Sequence, residues 1–516
     1  MSALAAPSAL AVSVAVERPE LSRAAWRIVA LAFVLRALVF PFADNKQGDA
    51  PMRALIAERL ALAPATAANP RTFCQFGPLH PMLMAPFVAV GGNLPRSSRA
   101  FSFLAGMLTF LPFLRLARRL VGEAPAQLAA LGLAASPLHI QASTTAASEA
   151  LYLLLFVAML ERLTRALDDD EAGVGAYALA GALASLAAVT RYDAWLALPA
   201  AVAAAWAFAR GPAGPERARR ARGLAVFAAC AAALPAAWML WGALATDDPI
   251  FFFHYISTDH AQLAATAIER YGPALGRARQ LGIWALSLAA VMTLPLALAV
   301  VGAIVLAASG RAPAARAPQA MRVVLVAALA PLALYLAQGL VRLGFEPLPR
   351  FALVPGVLLL PLAAAALPIR RLSLVRVAVP LAGVAFAVCA FLVAGWGRPR
   401  LWGGAESMGA LTRLDPEDRE LAAYLRAHRA PGERVMLEPL AFAEIAIAAA
   451  GGVPATESIT LAVTREPSST VAETMRSTGA RWLVAHDDAR PSAWMRRLPD
   501  WPVSTLELGR WRLIHR

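Results

Sequence analysis

Apolar and polar positions along this chain fall into long blocks, not into the short alternation of a soluble sheet. Nearly uncharged runs recur at about 25–43, 97–116, 124–142, 149–167, 173–190, 194–209, 223–245, 281–308, 321–341, 351–369 and 377–396. Most are close to the roughly 20 residues that carry a helix across about 30 Å of hydrocarbon. The pattern predicts an all-α polytopic membrane domain of about eleven transmembrane helices.

Arginine placement gives the register of that prediction. The connections 115–119, 161–171, 209–223, 311–322 and 370–376 hold 16 Arg in 50 residues. The alternate ones, 44–99, 140–148, 190–193, 246–280 and 342–350, hold 12 Lys and Arg in 113. Basic residues concentrate on the cytoplasmic side of a membrane protein. The N-terminus is therefore expected in the cytoplasm of a multi-pass protein of the plasma (inner) membrane, with residues from about 400 outside. Glu17 and Glu20 precede the first run, so that run is expected to stay as an anchor and not be cleaved as a signal peptide.

Beyond residue 400 the pattern changes. Asp415-Pro416-Glu417-Asp418 reads as a helix start, with a cap, an early proline and two acids at the positive end, and Leu421 and Leu425 follow on one face. Arg434 to Leu437 and Trp482 to Ala485 read as short strands, separated by helices at Phe442 to Ala450 and near Ser469 to Ser477. The expected division is a cytoplasmic segment 1–24, a transmembrane catalytic domain 25–399 with a long first outer loop 44–96, and a small extracytoplasmic α/β domain 400–516. Within that loop Met52, Leu55, Ile56, Leu60 and Leu62 recur at helical spacing, which predicts an amphipathic helix in the membrane interface.

Composition removes rival classes. The chain has 516 residues, 59% hydrophobic and 16% charged, with a mean hydropathy of +0.57, well outside the soluble range. The net charge of +14 would suit nucleic acid, but the basic residues are arginines between apolar runs, and Lys46 is the only lysine. Cys74, Cys230 and Cys389 are too scattered for a disulfide framework or a zinc site. The chain has no phosphate loop, no GxGxxG and no internal repeat.

Candidate chemistry lies in the outer connections. Asp49 follows the first span and reads both as a helix cap and as a general base held at the membrane surface. Glu149 opens the fourth span, where an acid marks a cavity or a helix start. Arg191 and Arg350 lie where the positive-inside pattern gives no reason for arginine, and guanidinium binds phosphate bidentately. Snorkelling, or pairing of Arg350 with Glu346, is the structural alternative. His80, Tyr192 and His254 are candidates for positioning substrate, and Asp259 and His260 follow His254 closely. The acidic run Asp168 to Glu171 falls on the inner side and reads as a solvated loop.

These residues, in order, resemble the GT-C superfamily of membrane glycosyltransferases, in the branch of protein O-mannosyltransferases and lipid A aminoarabinose transferases. The resemblance spans residues 25–370. It runs from Asp49 through Gly77-Pro78-Leu79-His80-Pro81, Ser98-Arg99, Ala135-Ser136-Pro137-Leu138, Ala147-Ser148-Glu149-Ala150-Leu151 and Thr190-Arg191-Tyr192 to Pro349-Arg350-Phe351. It implies transfer of a sugar from a polyprenyl-phosphate donor, with inversion, on the extracytoplasmic face. The acceptor would be a lipid, glycan or protein. Asp49 would be the base, Glu149 the second acid, and Arg350 or Arg191 the phosphate ligand. A divalent metal ion is the one cofactor the resemblance admits. The alternatives are a transporter or flippase of a lipid-linked precursor, and a non-catalytic relative, the latter because Ala50 stands where many relatives carry a paired acid.

Overall fold

The computed structural model describes residues 21–367 and 414–515, apart from short stretches at 47, 74–75, 92–93, 170, 209–213, 293, 309–315, 343–347, 438–442, 461–470, 487–503 and 510. Helices dominate the first part: α1 (Arg23–Val39), α2 (Ala50–Leu62), α3 (Leu79–Gly91), α4 (Leu94–Leu108), α5 (Phe110–Val121), α6 (Glu123–Ala135), α7 (Pro137–Thr144) and α8 (Glu149–Asp168). They continue with α9 (Val174–Thr190), α10 (Ala194–Phe208), α11 (Pro215–Thr246), α12 (Phe251–Met292), α13 (Leu294–Ala308), α14 (Pro318–Ala337) and α15 (Leu353–Ala366). Segments Arg23–Phe42, Arg96–Val121, Pro215–Thr246, Pro318–Leu340 and Pro349–Ala366 are long and apolar enough to cross a membrane. The pair α7 and α8, bent by 114°, passes the same test only together, as a broken span or a re-entrant loop. The chain is a multi-pass membrane protein, and ten of the eleven expected spans fall on described helices; 377–396 lies outside the described residues.

The breaks in these spans have local causes. Pro137 has no N–H to continue α6, which leaves carbonyls open at its end. The buried Arg36 of α1 donates to Ala134 at 3.2 Å and to Leu133 at 3.3 Å, where the Ser136 N–H also bonds, and contacts His139. After α7 the chain reverses, and Asn45, at φ 47°, accepts the Ala146 N–H at 2.6 Å just before α8 begins. In α12 the kink falls at Gly272, with φ 71°, followed by Pro273. Gly77 lies so close to the end of α9 that a Cβ there would stand 2.3 Å from the Val189 carbonyl oxygen.

The C-terminal part forms one sheet of five strands: β1 (Arg434–Leu437), β2 (Ser458–Thr460), β3 (Ala480–His486), β4 (Ser504–Leu508) and β5 (Trp511–His515). Their order is β2-β1-β3-β5-β4; β1 is parallel to both β2 and β3, and the β4–β5 hairpin joins β3 antiparallel. Helices α16 (Pro416–His428), α17 (Ala443–Ala450) and α18 (Val471–Thr478) complete it. The expected strands and helices are present. Strands β2, β4 and β5 add to them.

Two sequence expectations change. The long first loop contains α3, whose apolar sequence looks like loop only because Pro78, Pro81 and Pro86 interrupt it. Helix α2 does not float in the interface: Ala50 to Ala57 and Leu60 are all buried, among α3, α4 and α17. Periodicity identified an apolar face but could not show that protein, not lipid, covers it, nor that the opposite face is covered too.

The same loop anchors the sheet domain. The Lys46 ammonium stands 2.5 Å from Asp418 and 3.2 Å from Asp415, in the capping box that opens α16. Asp418 also accepts the Trp511 indole N–H at 2.7 Å, and Asp44 accepts the Leu414 N–H at 2.9 Å. Arg59 donates to the Ser458 carbonyl at 2.6 Å. Lys46→Met would take the ammonium away from the buried Asp418 carboxylate, at a cost of about 1–3 kcal/mol. Its thermal unfolding midpoint in detergent should fall by several degrees while Lys46→Arg stays near wild type; equal midpoints for all three would contradict this role.

Candidate active site

Four connections deliver charge to one end of the bundle. Asp49 lies immediately before α2 and Arg53 one turn into it; Glu149 is the first residue of α8; Arg191 and Asp193 bridge α9 and α10; Arg350 lies in a tight turn, Pro349–Ala352, ahead of α15. Each acid stands at or beside a helix start, where the backbone dipole favours negative charge.

The side chains interlock. Asp49 is 3.2 Å from Arg350 and 3.9 Å from Arg53. Glu149 is 2.5 Å from Arg191 and 3.8 Å from the Arg350 Nε. Arg191 also binds Asp193 at 2.6 Å and Ser148 at 3.3 Å, and Tyr335 of α14 donates to Asp193. The Phe351 ring lies 5.6 Å from both the Arg191 and the Arg350 guanidinium carbons. Three carboxylates and three guanidiniums thus form one nearly buried, formally neutral network.

Burial would push the Asp49 carboxyl up, but Arg350, then Arg53 and Arg191, outweigh it and hold it below the ordinary carboxylate range. His260 of α12 packs against Phe351 with ring centroids 5.9 Å apart. Burial first, and the Arg350 charge second, lower its pKa to about 4, so it stands neutral beside the network. A carboxylate next to a guanidinium, at a membrane surface, can take a proton from a hydroxyl while the cation holds a phosphate.

Asp49, Glu149, Arg191 and Arg350, all singled out by sequence, therefore converge. The local detail differs, since the Asp49 carboxylate makes no cap bond to α2 and faces the arginines. The other three candidates have different surroundings. The Tyr192 hydroxyl donates to the Phe76 carbonyl at 3.2 Å and accepts the Trp238 N–H at 3.0 Å, and its ring stacks on Phe252 at 4.4 Å. It braces the wall of the site. His80 is fully buried edge-on to Phe101 at 5.5 Å, and His254 is exposed and pairs with Asp248 at 2.9 Å. Arg53, Asp193 and Tyr335 belong to the network or its border but carried no assigned role in the sequence reading, whereas His260, a candidate there for reaching an acceptor, stands at the border beside Phe351. Arg53 follows Asp49 by four residues on a helix, which is the one signal that could have identified it.

Among the described residues no three His, Cys, Asp or Glu side chains are placed to hold a metal ion, and the site's carboxylates face guanidiniums. That donor set does not suit a divalent cation. Asp168, in the acidic run, lies at the far end of α8 from Glu149 and pairs with Arg119 at 3.3 Å.

Residues 75–241 match the family model of dolichyl-phosphate-mannose-protein mannosyltransferases. No curated protein sequence matches the chain. Among solved structures, ArnT from Cupriavidus metallidurans bound to undecaprenyl phosphate aligns with a TM-score of 0.64 at 15% identity, over 96% of this chain and 98% of that one. The oligosaccharyltransferase of Archaeoglobus fulgidus aligns with a TM-score of 0.54 at 14% identity, over 90% and 68%. The same enzyme, with an inhibitory peptide and a dolichol-phosphate, gives 0.51 at 15% identity, over 91% and 70%. At these identities the likeness establishes the fold.

Unequal burial makes the arginines unequal in stability. Arg191→Gln removes the cation paired with Asp193 and the nearer of the two at Glu149, and should destabilise the protein by about 3–5 kcal/mol, the cost of breaking a buried pair. Arg350→Gln, at the more open edge, should cost less. Thermal unfolding in detergent decides the order, and an Arg191→Gln midpoint above that of Arg350→Gln would refute it.

Proposed function

We propose that this chain is a membrane glycosyltransferase of GT-C architecture that moves a sugar from a polyprenyl-phosphate donor to an acceptor hydroxyl, with inversion, using Asp49 as general base. The observation that supports the reading is the Asp49 to Arg350 contact of 3.2 Å, a carboxylate fit to act as base beside a guanidinium fit to bind phosphate. The family model over 75–241 and the lipid phosphates bound by the ArnT and oligosaccharyltransferase structures support the donor class. Arginine distribution supports an extracytoplasmic site.

The residues divide the chemistry between them. A lipid-phosphate sugar enters with its prenyl chain in the bilayer and its phosphate at the bundle end. Arg350 receives that phosphate, with the charge of Arg191 held nearby by Glu149 and Asp193; guanidiniums fixed in advance stabilise the charge that grows as the anomeric C–O bond breaks. Asp49 takes the acceptor's proton as the acceptor oxygen attacks the opposite face of the anomeric carbon. Glu149 is the carboxylate that fixes Arg191 and approaches Arg350, so it sets the geometry of the phosphate ligands. The acceptor is a hydroxyl on a lipid, a glycan or a protein.

A base must be ionised to act. Because the Asp49 pKa is depressed, transfer should persist below the ordinary carboxylate range and fail only when pH drops through the depressed value. Asp49→Asn should cut transfer from a radiolabelled polyprenyl-phosphate sugar in membranes by roughly 10²–10⁴-fold, the usual contribution of a general base. Full transfer by that variant would remove Asp49 from the mechanism.

A further inference from the structure

The network presents a chemical conflict: the groups that bind phosphate also hold Asp49 ionised and so make it a weak base. Resting on the glycosyltransferase reading above, we infer that Arg350 is a shared counter-ion, passed from Asp49 to the donor phosphate as proton and negative charge change places during transfer.

Charge accounting leads there. Asp49, Glu149 and Asp193 balance Arg53, Arg191 and Arg350 in the free protein. A sugar-phosphate-prenyl donor is a phosphodiester with one negative charge. As transfer proceeds, the acceptor oxygen forms its bond to the anomeric carbon. The carbon–oxygen bond to phosphate breaks with its electron pair on the phosphate oxygen, and the acceptor's proton moves to Asp49. The phosphate becomes a monoester with a second negative charge while Asp49 becomes neutral, so the total is unchanged. Only a cation within reach of both groups can follow that movement.

Arg350 meets the geometric requirement. It touches Asp49 at 3.2 Å and reaches Glu149 at 3.8 Å through a second nitrogen, and its side chain keeps 12% of its surface exposed, against 6% for Arg191 and 4% for Arg53. Arg191 is committed to Glu149, Asp193 and Ser148. Arg53 lies one turn into the helix that Asp49 precedes, with its guanidinium 4.4 Å from the Phe76 ring. The remaining group bearing on Asp49 is His260, which stands neutral, while Glu149 and Asp193 share the arginines. Free Arg350 would bind phosphate well but leave Asp49 unrestrained; Arg350 held permanently by Asp49 would offer nothing to the phosphate. The shared position avoids both.

Binding of farnesyl phosphate to the purified full-length protein tests this without any transfer. If Asp49 and phosphate compete for Arg350, Asp49→Asn binds farnesyl phosphate about tenfold more tightly, one pKa unit's worth of coupling, and Arg350→Gln binds it correspondingly more weakly. In the double variant the gain from Asp49→Asn disappears. A second reading needs no variant. Farnesyl sulfate carries no titrating proton of its own, so its binding at acid pH should draw a proton onto the wild-type protein, counted by calorimetry in two buffers of different ionisation enthalpy. Asp49→Asn binding no tighter, an equal gain in the Arg350→Gln background, or no proton uptake with the sulfate would each overturn the shared counter-ion. Those outcomes leave Asp49 as base if its Asn variant is inactive, whereas an active variant defeats the parent reading whatever it binds.

Discussion

Six charges cannot be gathered at the edge of a hydrocarbon phase unless each is matched, and that constraint orders the rest of this molecule. An isolated buried ion costs several kcal/mol, and removing one member of a buried pair leaves the other unpaid. Asp49, Glu149 and Asp193 meet it by standing at helix starts and by sharing three guanidiniums from three different connections. Because the partners come from residues 49 to 350, the network forms only when the bundle has closed. The polar site and the apolar fold therefore specify one another.

The same principle appears deeper in the bundle. Among the described residues Arg36 pairs with no carboxylate but gathers the carbonyls at the α6 end that Pro137 interrupts, together with His139 and a Ser143 hydroxyl at 3.4 Å. A helix break and a buried arginine would each be costly alone. Placed together they satisfy one another, and the bend that results leads through Thr144 and Thr145 to Glu149 at the site.

Much of this was legible in the sequence because membrane solvation writes in long, coarse strokes. Hydropathy gave the spans from 25 to 369, and arginine on the unexpected side pointed to Arg191 and Arg350. What periodicity cannot carry is a partner. Asp193 and Tyr335 are ordinary residues in their own segments and gain meaning only from the segments that fold against them. Tyr192 and His254 were attractive by position, yet one is spent on bracing Phe76 and Trp238 and the other pairs locally with Asp248. Helix α2 failed for a related reason: a sequence shows which face is apolar, not what covers it. The sheet was half legible, since β2, β4 and β5 are three to five residues long and take their pairing from neighbours.

The joint between the first loop and the sheet domain has an unusual chemical property. Apart from the N-terminal amine, the chain contains a single primary amine, Lys46, and its side chain is only 9% exposed, held between Asp415 and Asp418 three residues before the proposed base. An acylating reagent can modify that amine only when the carboxylates release it. The one side-chain amine of the chain thus sits at the joint between the sheet domain and the loop that holds Asp49, and its slow acylation would report that the joint is closed.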